Sequence, residues 1–202
     1  MPTGPGGLDS NGIWQFGEDD SEALASDLLN LGMGSVSDAF TNLAGVLQVV
    51  STTLTSPFNT TSRTYTDVTG LAATITPSAT SSNISIVVAV TGVTDTGGAG
   101  NARPAGLRIT GGNAASFVGS SSGDRIAAFA SLEQVTGSSQ RQIGFSGGNY
   151  LDSPSTASAV TYQVQAVQPF SGTIYINRAL DDVDEATRVR TVSTITLIEV
   201  AG

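Results

Sequence analysis

The sequence of 202 residues contains no cysteine, no histidine and no lysine. The first two absences exclude disulfides, the usual Cys/His zinc sites and catalysis that depends on a thiolate or an imidazole. The eight basic residues are all arginines and are outnumbered by 17 acidic residues, which gives a net charge of −9. Because phosphate binding needs clustered basic side chains, we expect no nucleic-acid partner.

Long apolar runs and a signal sequence are also absent. No run approaches the ~20 residues that a membrane-spanning helix needs, and the first residues lack the basic and apolar segments of a secretory signal. We therefore expect no membrane association. Only 12% of the residues are charged, so threonine, serine and asparagine must cover much of the surface, a composition that suits strands.

The first 18 residues predict an extended attachment arm, because they are rich in glycine and proline and show no periodicity. The arm carries three bulky apolar residues close together, Ile13, Trp14 and Phe16. Exposed apolar clusters of this kind need a cover. They either pack on a helix of the same chain or insert into a neighbouring protein.

Residues 19–50 predict a helical stalk. Apolar residues recur at alternating spacings of three and four over residues 29–50, which is typical of a coiled coil. The stalk core is predicted to contain Val36, Phe40, Leu43, Leu47 and Val50. The same pattern would suit a helix that packs on its own domain. Because glycines weaken the helix, we expect an oligomeric β-domain to hold it together.

Residues 51–62 are rich in serine and threonine and predict a linker, followed by a β-domain over residues 63–202. Short β-patterned runs separated by turn residues fill this domain. They predict strands at residues 63–69, 71–76, 84–93, 106–110, 116–118, 125–133, 141–145, 160–168, 172–177 and 189–200. The fold class is therefore mainly β, with an antiparallel sandwich or jelly-roll-like domain.

An acidic cluster between the last two predicted strands is flanked by arginines. Its residues are Arg178, Asp181, Asp182, Asp184, Arg188 and Arg190. We predict a turn with ion pairs, formed within one subunit or between subunits. Calcium binding and carboxylate-based glycan cleavage are the alternatives. Without EF-hand spacing or a nucleophile paired with a base, we predict no metal, no cofactor and no enzyme activity.

Three loops, at residues 94–104, 111–123 and 147–156, are the predicted recognition surface, because loops carry binding on a rigid scaffold. Four aromatic residues are available for stacking on a sugar, although we expect most of them in the core. They are Tyr150, Tyr162, Phe170 and Tyr175.

Three stretches of the β-domain carry a family resemblance. They are YTDVTGLAATITP at residues 65–77, LDSPST at 151–156 and TIYINRALDDVDEATRVRTVSTITLIEV at 173–200. The chain resembles small β-rich phage tail fibre proteins over residues 63–200. Its N-terminal part, with LLNLG at 28–32 and SVSDA at 35–39, is similar to leaders of virion proteins from phages of actinobacteria.

The resemblance implies a homotrimeric virion protein, exposed on the particle surface, whose N-terminal arm attaches to other virion proteins. We expect a tail fibre or tail-tip appendage that binds the host surface, with a cell-surface glycan as a further partner. A capsid decoration protein or head fibre is the alternative within the same particle. A glycan depolymerase is a third hypothesis from a different class.

Overall fold

The computed structural model describes residues 45–95, 104–133 and 141–202, together with the backbone of two short strands near the N-terminus. The chain divides into two compact units, residues 1–45 and 46–202. In the first unit, β1 (Gly7–Leu8) pairs antiparallel with β2 (Trp14–Gln15). Among the described residues, no helix has the length and hydrophobicity needed to cross a membrane.

The described part of the second unit consists of strands and one short 3-10 turn. The strands are β3 (Val46–Leu54), β4 (Phe58–Thr60), β5 (Thr66–Ile75), β6 (Asn83–Asp95), β7 (Ala105–Thr110), β8 (Ala130–Leu132), β9 (Gly144–Asp152), β10 (Val160–Val167), β11 (Thr173–Ile176) and β12 (Ser193–Val200). The 3-10 turn η1 (Ala114–Ser116) lies between β7 and β8. The predicted mainly β class is confirmed.

The strands form two antiparallel sheets. The four-stranded sheet has the order β5-β10-β7-β8, and the six-stranded sheet has the order β3-β12-β6-β11-β4, with β9 paired to β6. Along most of β6, β10 and β12, buried side chains alternate with more accessible ones, as expected for strands with one face in a core. One hydrophobic cluster draws residues from both sheets, including Ile86, Leu107 and Val164, so the sheets pack face to face.

Asn177 connects four parts of the second unit. It directly follows β11 and adopts a left-handed backbone conformation with φ 62°. Its buried side-chain amide donates to the carbonyl oxygens of Leu54, at 2.7 Å, and Ser56, at 3.1 Å. The amide oxygen accepts hydrogen bonds from the hydroxyls of Ser193, at 2.6 Å, and Thr91, at 3.2 Å. The side chain therefore ties β3 and its following turn to β6 and β12.

Glu199 forms a second buried connection, between β12 and the loop after β5. Its carboxylate accepts hydrogen bonds from the Gln48 side chain at 2.5 Å and from the Ser78 backbone N–H at 2.6 Å. Gln48 also donates to the Thr76 carbonyl at 2.7 Å. Burial acts to raise the pKa of Glu199, but hydrogen bonds from Gln48, Ser82 and Ser78 outweigh it and lower the pKa to about 2.

The predicted helical stalk is wrong at its C-terminal end. Leu47 and Val50 lie in β3, which pairs along its length with β12. This segment is rich in valine and threonine, and the hydrogen bonds of β12 favour a strand over a marginal helix. The stalk residues Val36, Phe40 and Leu43 lie outside the described residues. The linker prediction for residues 51–62 is also wrong where β3 and β4 lie.

Three strand predictions in the middle of the domain were wrong or incomplete. Residues 116–118 form the end of η1 and an irregular segment, and only residues 130–132 of the predicted strand 125–133 pair in a sheet. The strand predicted at 141–145 instead runs from Gly144 to Asp152. Gly147 and Gly148 interrupt the alternation of side chains, so the sequence pattern did not predict that the strand continues beyond residue 145. A Cβ at Gly147 would lie 2.2 Å from the Val88 carbonyl oxygen, so β6 requires glycine there.

Candidate functional site

A groove opens beside the first residues of β7 and encloses about 680 Å³. This volume falls within the range of roughly 300–1,000 Å³ that is typical of small-ligand sites. The walls come from three separate stretches of chain. The lining residues are Pro104, Ala105, Gly106, Ser122, Gly123, Asp124, Arg125, Ile126, Ala128, Ser131, Pro169 and Phe170.

One wall of the groove, residues 122–128, is anchored at its C-terminal end. The Tyr65 hydroxyl donates a hydrogen bond to the Ala127 carbonyl at 2.5 Å. The Gly119 backbone N–H donates to the Ala128 carbonyl at 3.0 Å. These two bonds fix the wall against the residue that precedes β5 and against the start of its own loop. A loop anchored in this way presents its side chains in a defined position.

Tyr65 also forms part of the packing behind the groove. A Cβ at Gly106 would lie 3.1 Å from the Tyr65 hydroxyl and 3.3 Å from the Ala128 side chain, so glycine allows the close approach of both. The Arg108 guanidinium lies 4.2 Å from the centre of the Tyr65 ring. Burial raises the pKa of Tyr65, and the nearby Arg108 charge offsets part of the increase. The hydroxyl therefore stays protonated and donates at neutral pH.

The groove combines apolar walls with polar groups of both charges. Ile126 is 43% exposed and Phe170 is 46% exposed, so both present apolar surface to solvent. Asp124 and Arg125 are exposed beside them. The Arg125 guanidinium donates to the Ser122 carbonyl at 3.0 Å, which holds it at the turn. This arrangement suits a ligand with an apolar face and several hydroxyl groups.

The predicted acidic cluster lies in the loop between β11 and β12, where its charges pair within one chain. Asp182 forms ion pairs with Arg190 at 2.9 Å and with Arg178 at 3.6 Å, and Asp181 pairs with Arg188. The hydrogen bond from Arg190 is the main cause that lowers the pKa of Asp182.

A cavity of about 510 Å³ lies in this loop, lined by Asp182, Val183, Asp184, Glu185, Arg188 and Arg190. Asp184 is an exposed member of this lining. Arg188 also pairs with Glu185 at 3.5 Å. Within the described ranges, no group of three or more acidic side chains is placed to hold a metal ion. Acidic and basic side chains of the same loop therefore pair with each other at this cavity.

The four predicted aromatic residues lie in different surroundings. Tyr162 is fully buried, Tyr150 stacks on Phe117 with 4.5 Å between ring centres, and Tyr175 lies 4.6 Å from the Arg178 guanidinium. Phe170 alone of the four lines the groove. Among the described residues of the predicted recognition loops, Pro104 of the first loop and Ser122 and Gly123 of the second line the groove.

The LDSPST stretch contains a structural anchor. The buried Asp152 carboxylate accepts hydrogen bonds from the Tyr162 hydroxyl at 2.6 Å and from the Asn113 backbone N–H at 3.1 Å. Burial raises the pKa of Tyr162, and the Asp152 hydrogen bond and charge add to the increase. Asp152 therefore connects β9 and β10 to the turn before η1.

The predicted attachment arm falls largely outside the described residues, as Ile13 and Phe16 do. Trp14 lies in β2, where its backbone pairs with Leu8. No protein-family model matches the chain, and no curated protein matches it significantly.

The substitution Tyr65→Phe tests whether the groove wall depends on its anchor. Loss of the hydrogen bond to Ala127 should lower the free energy of unfolding by about 1 kcal/mol. We also expect faster amide hydrogen exchange across residues 119–128. Tyr175→Phe is the matched control, because this ring also lies against an arginine while its hydroxyl bonds to no described residue. Equal exchange rates in both variants would contradict the anchoring role.

Proposed function

We propose that this chain is a structural and adhesive protein of a bacteriophage virion, placed in a tail fibre or at the tail tip. In this proposal, a jelly-roll-like β-domain binds a host cell-surface glycan through the groove, and the N-terminal arm, residues 1–18, attaches to other virion proteins. Three copies assemble on the exposed surface of the particle. The protein binds its target and has no enzyme activity.

The observation that carries the proposal is the composition of the groove. A sugar ring has an apolar C–H face and a rim of hydroxyl groups, so it requires apolar walls beside hydrogen-bonding side chains. Ile126 and Phe170 supply exposed apolar surface, and Asp124 and Arg125 supply an acceptor and a donor. The groove sits on antiparallel strands, which provide the rigid support that a binding loop needs.

The number of carboxylates favours binding over cleavage. Glycosidases in most families use two carboxylic acids on either side of the scissile bond. Asp124 is the only carboxylate among the described residues that line the groove. A single carboxylate is sufficient to accept hydrogen bonds from sugar hydroxyls.

The stretches that carry the family resemblance also fit a scaffold role. Asn177 lies in the TIYINR stretch and Asp152 in the LDSPST stretch, and each is a buried hydrogen-bonding centre. The groove walls at residues 104–106 and 122–131 lie outside these stretches. A shared scaffold with a separate groove is the expected organisation of appendages that recognise different hosts.

The test is binding of the full chain to purified cell walls from a panel of actinobacteria. Arg125→Gln and Ile126→Ser should each weaken binding by about tenfold, because each removes one class of groove contact. Val189→Ser is the control, since this exposed valine is not among the groove-lining residues and lies in the loop between β11 and β12. The glycan proposal would be contradicted if both groove variants bound cell walls as tightly as the wild type, or if the wild type bound none of the cell walls in the panel.

Localisation on the particle tests the structural role. We expect antibodies against residues 46–202 to label the tail in electron micrographs. Labelling of the head would replace the tail assignment with the capsid decoration alternative. Release of soluble sugar from the walls would contradict the absence of enzyme activity.

A further inference from the structure

The outward face of the six-stranded sheet is made of apolar and hydroxyl-bearing side chains. Strand register aligns three rows across β3, β12, β6 and β9. The rows are Val49, Ile198, Ser85 and Leu151; Ser51, Thr196, Val87 and Asn149; and Thr53, Thr194, Ala89 and Gly147. None of these positions is charged.

Large apolar side chains on this face are open to solvent within the described structure. Val49 is 58% exposed and Leu151 is 57% exposed, at opposite edges of the first row. Val87 is 41% exposed although β6 has hydrogen-bonded neighbours on both sides. Phe145, which pairs with Thr91 beyond the third row, is also exposed. A contiguous surface of this kind marks a protein interaction site.

The outward face of the four-stranded sheet has a different composition. One row joins Asp67, Gln165 and Arg108 across β5, β10 and β7. The Gln165 amide donates to the Asp67 carboxylate, and the Arg108 guanidinium donates to the Gln165 side-chain oxygen, each at 2.6 Å. This face is therefore suited to contact with water. The two outward faces of the same domain thus differ in charge and polarity.

We propose that the charge-free face of the six-stranded sheet is the surface through which copies of this chain associate with each other. Each copy carries a net charge of −9, so most surface contacts between copies would be repulsive. An uncharged face brings two copies together without placing like charges in contact. Its serine and threonine rows supply hydroxyls that donate and accept hydrogen bonds across the interface. A strongly basic partner would instead require acidic residues on this face.

This inference deepens the proposed homo-oligomer but stands apart from glycan recognition. The groove is lined by residues of β7, β8 and two loops, and none of its lining residues belongs to the three rows. Failure of cell-wall binding would therefore leave the association intact. Loss of association would likewise leave the groove of each copy unchanged.

The experiment is sedimentation equilibrium of the full chain across micromolar concentrations. We expect the wild type to sediment as an oligomer. Val49→Glu and Val87→Glu should each weaken self-association by about tenfold or more, because a carboxylate would lose its hydration in the interface. Val87→Thr keeps a β-branched side chain and should weaken association less. Far-ultraviolet circular dichroism of each variant establishes that it remains folded.

Val189→Glu provides the matched control, since Val189 is 59% exposed but lies in the loop between β11 and β12. It should sediment as the wild type does. A monomeric wild type, or equal association of all four variants, would overturn the proposal. Protection of Val87 and Leu151 from hydroxyl-radical labelling in a monomeric wild type would show that another part of the same chain covers this face. That result would also overturn the proposal.

Discussion

Replacement of Asn177 by leucine is expected to lower the free energy of unfolding by about 4 kcal/mol. The substitution leaves the Leu54 carbonyl and the Ser193 hydroxyl without their partner in a buried site. It also places a bulky residue at φ 62°, which costs about 1 kcal/mol or more. Urea unfolding followed by circular dichroism measures the loss.

Two further substitutions separate the causes of that loss. Asn177→Gly keeps the left-handed backbone conformation and removes only the hydrogen bonds, so it should be about 1 kcal/mol less damaging than leucine. Asn59→Leu, at an exposed position of β4, should change stability by no more than about 0.5 kcal/mol. If Asn177→Leu costs no more than the Asn59 control, Asn177 is not the connection that we describe.

The position of Asn177 illustrates what the sequence could and could not predict. The alternation around β11 and the apolar alternation of β12 identified both strands, because the pattern lies within a few residues. The role of Asn177 depends on Leu54 and Ser56, which are more than a hundred residues away in sequence. Local patterns contain no information about such partners, so the sequence predicted Asn177 only as the last residue of a strand over residues 172–177.

The stalk prediction failed for a related reason. Leu47 and Val50 are three residues apart, which fits a helix. Both also lie in β3, where Gln48, Val50 and Leu54 are among the less exposed side chains, at even spacings that fit a strand. The repeat was too short to distinguish the two periods. The register with β12 decides in favour of the strand. The valines and threonines of residues 46–54 were the available signal for this outcome.

The groove was only partly predictable. Glycine and serine between residues 111 and 123 indicated a loop, which is confirmed, whereas the strand predicted within it at residues 116–118 is wrong. The groove also requires residues 104–106 and 169–170, and the sequence gives no sign that these stretches converge with residues 122–131. Tyr65 was missed as the anchor, because its hydrogen bond to Ala127 spans 62 residues. The only indication that Tyr65 has a structural role was its position in the stretch at 65–77, which carries the family resemblance.

Acidification should destabilise the domain through Glu199. The pKa of Glu199 in the folded protein, about 2, lies below the ordinary value of 4.5. The ionised carboxylate therefore stabilises the fold fully at pH values above 4.5. This contribution is lost as pH falls through 4.5 towards 2. Between about pH 6 and about pH 2.5, the loss from this group should reach about 2 to 3 kcal/mol.

The measurement is the free energy of unfolding of wild type and Glu199→Gln, by urea titration at several pH values. The glutamine variant should be less stable at neutral pH, because its amide cannot accept bonds from both Gln48 and Ser78. Its stability should also fall less steeply in acid, by the amount assigned to Glu199. Gln48→Met removes one donor and keeps the carboxylate, so its pH dependence should lie between the other two. Parallel curves for all three proteins would mean that the hydrogen bonds at Glu199 do not connect β12 to β3 and the loop after β5 in solution.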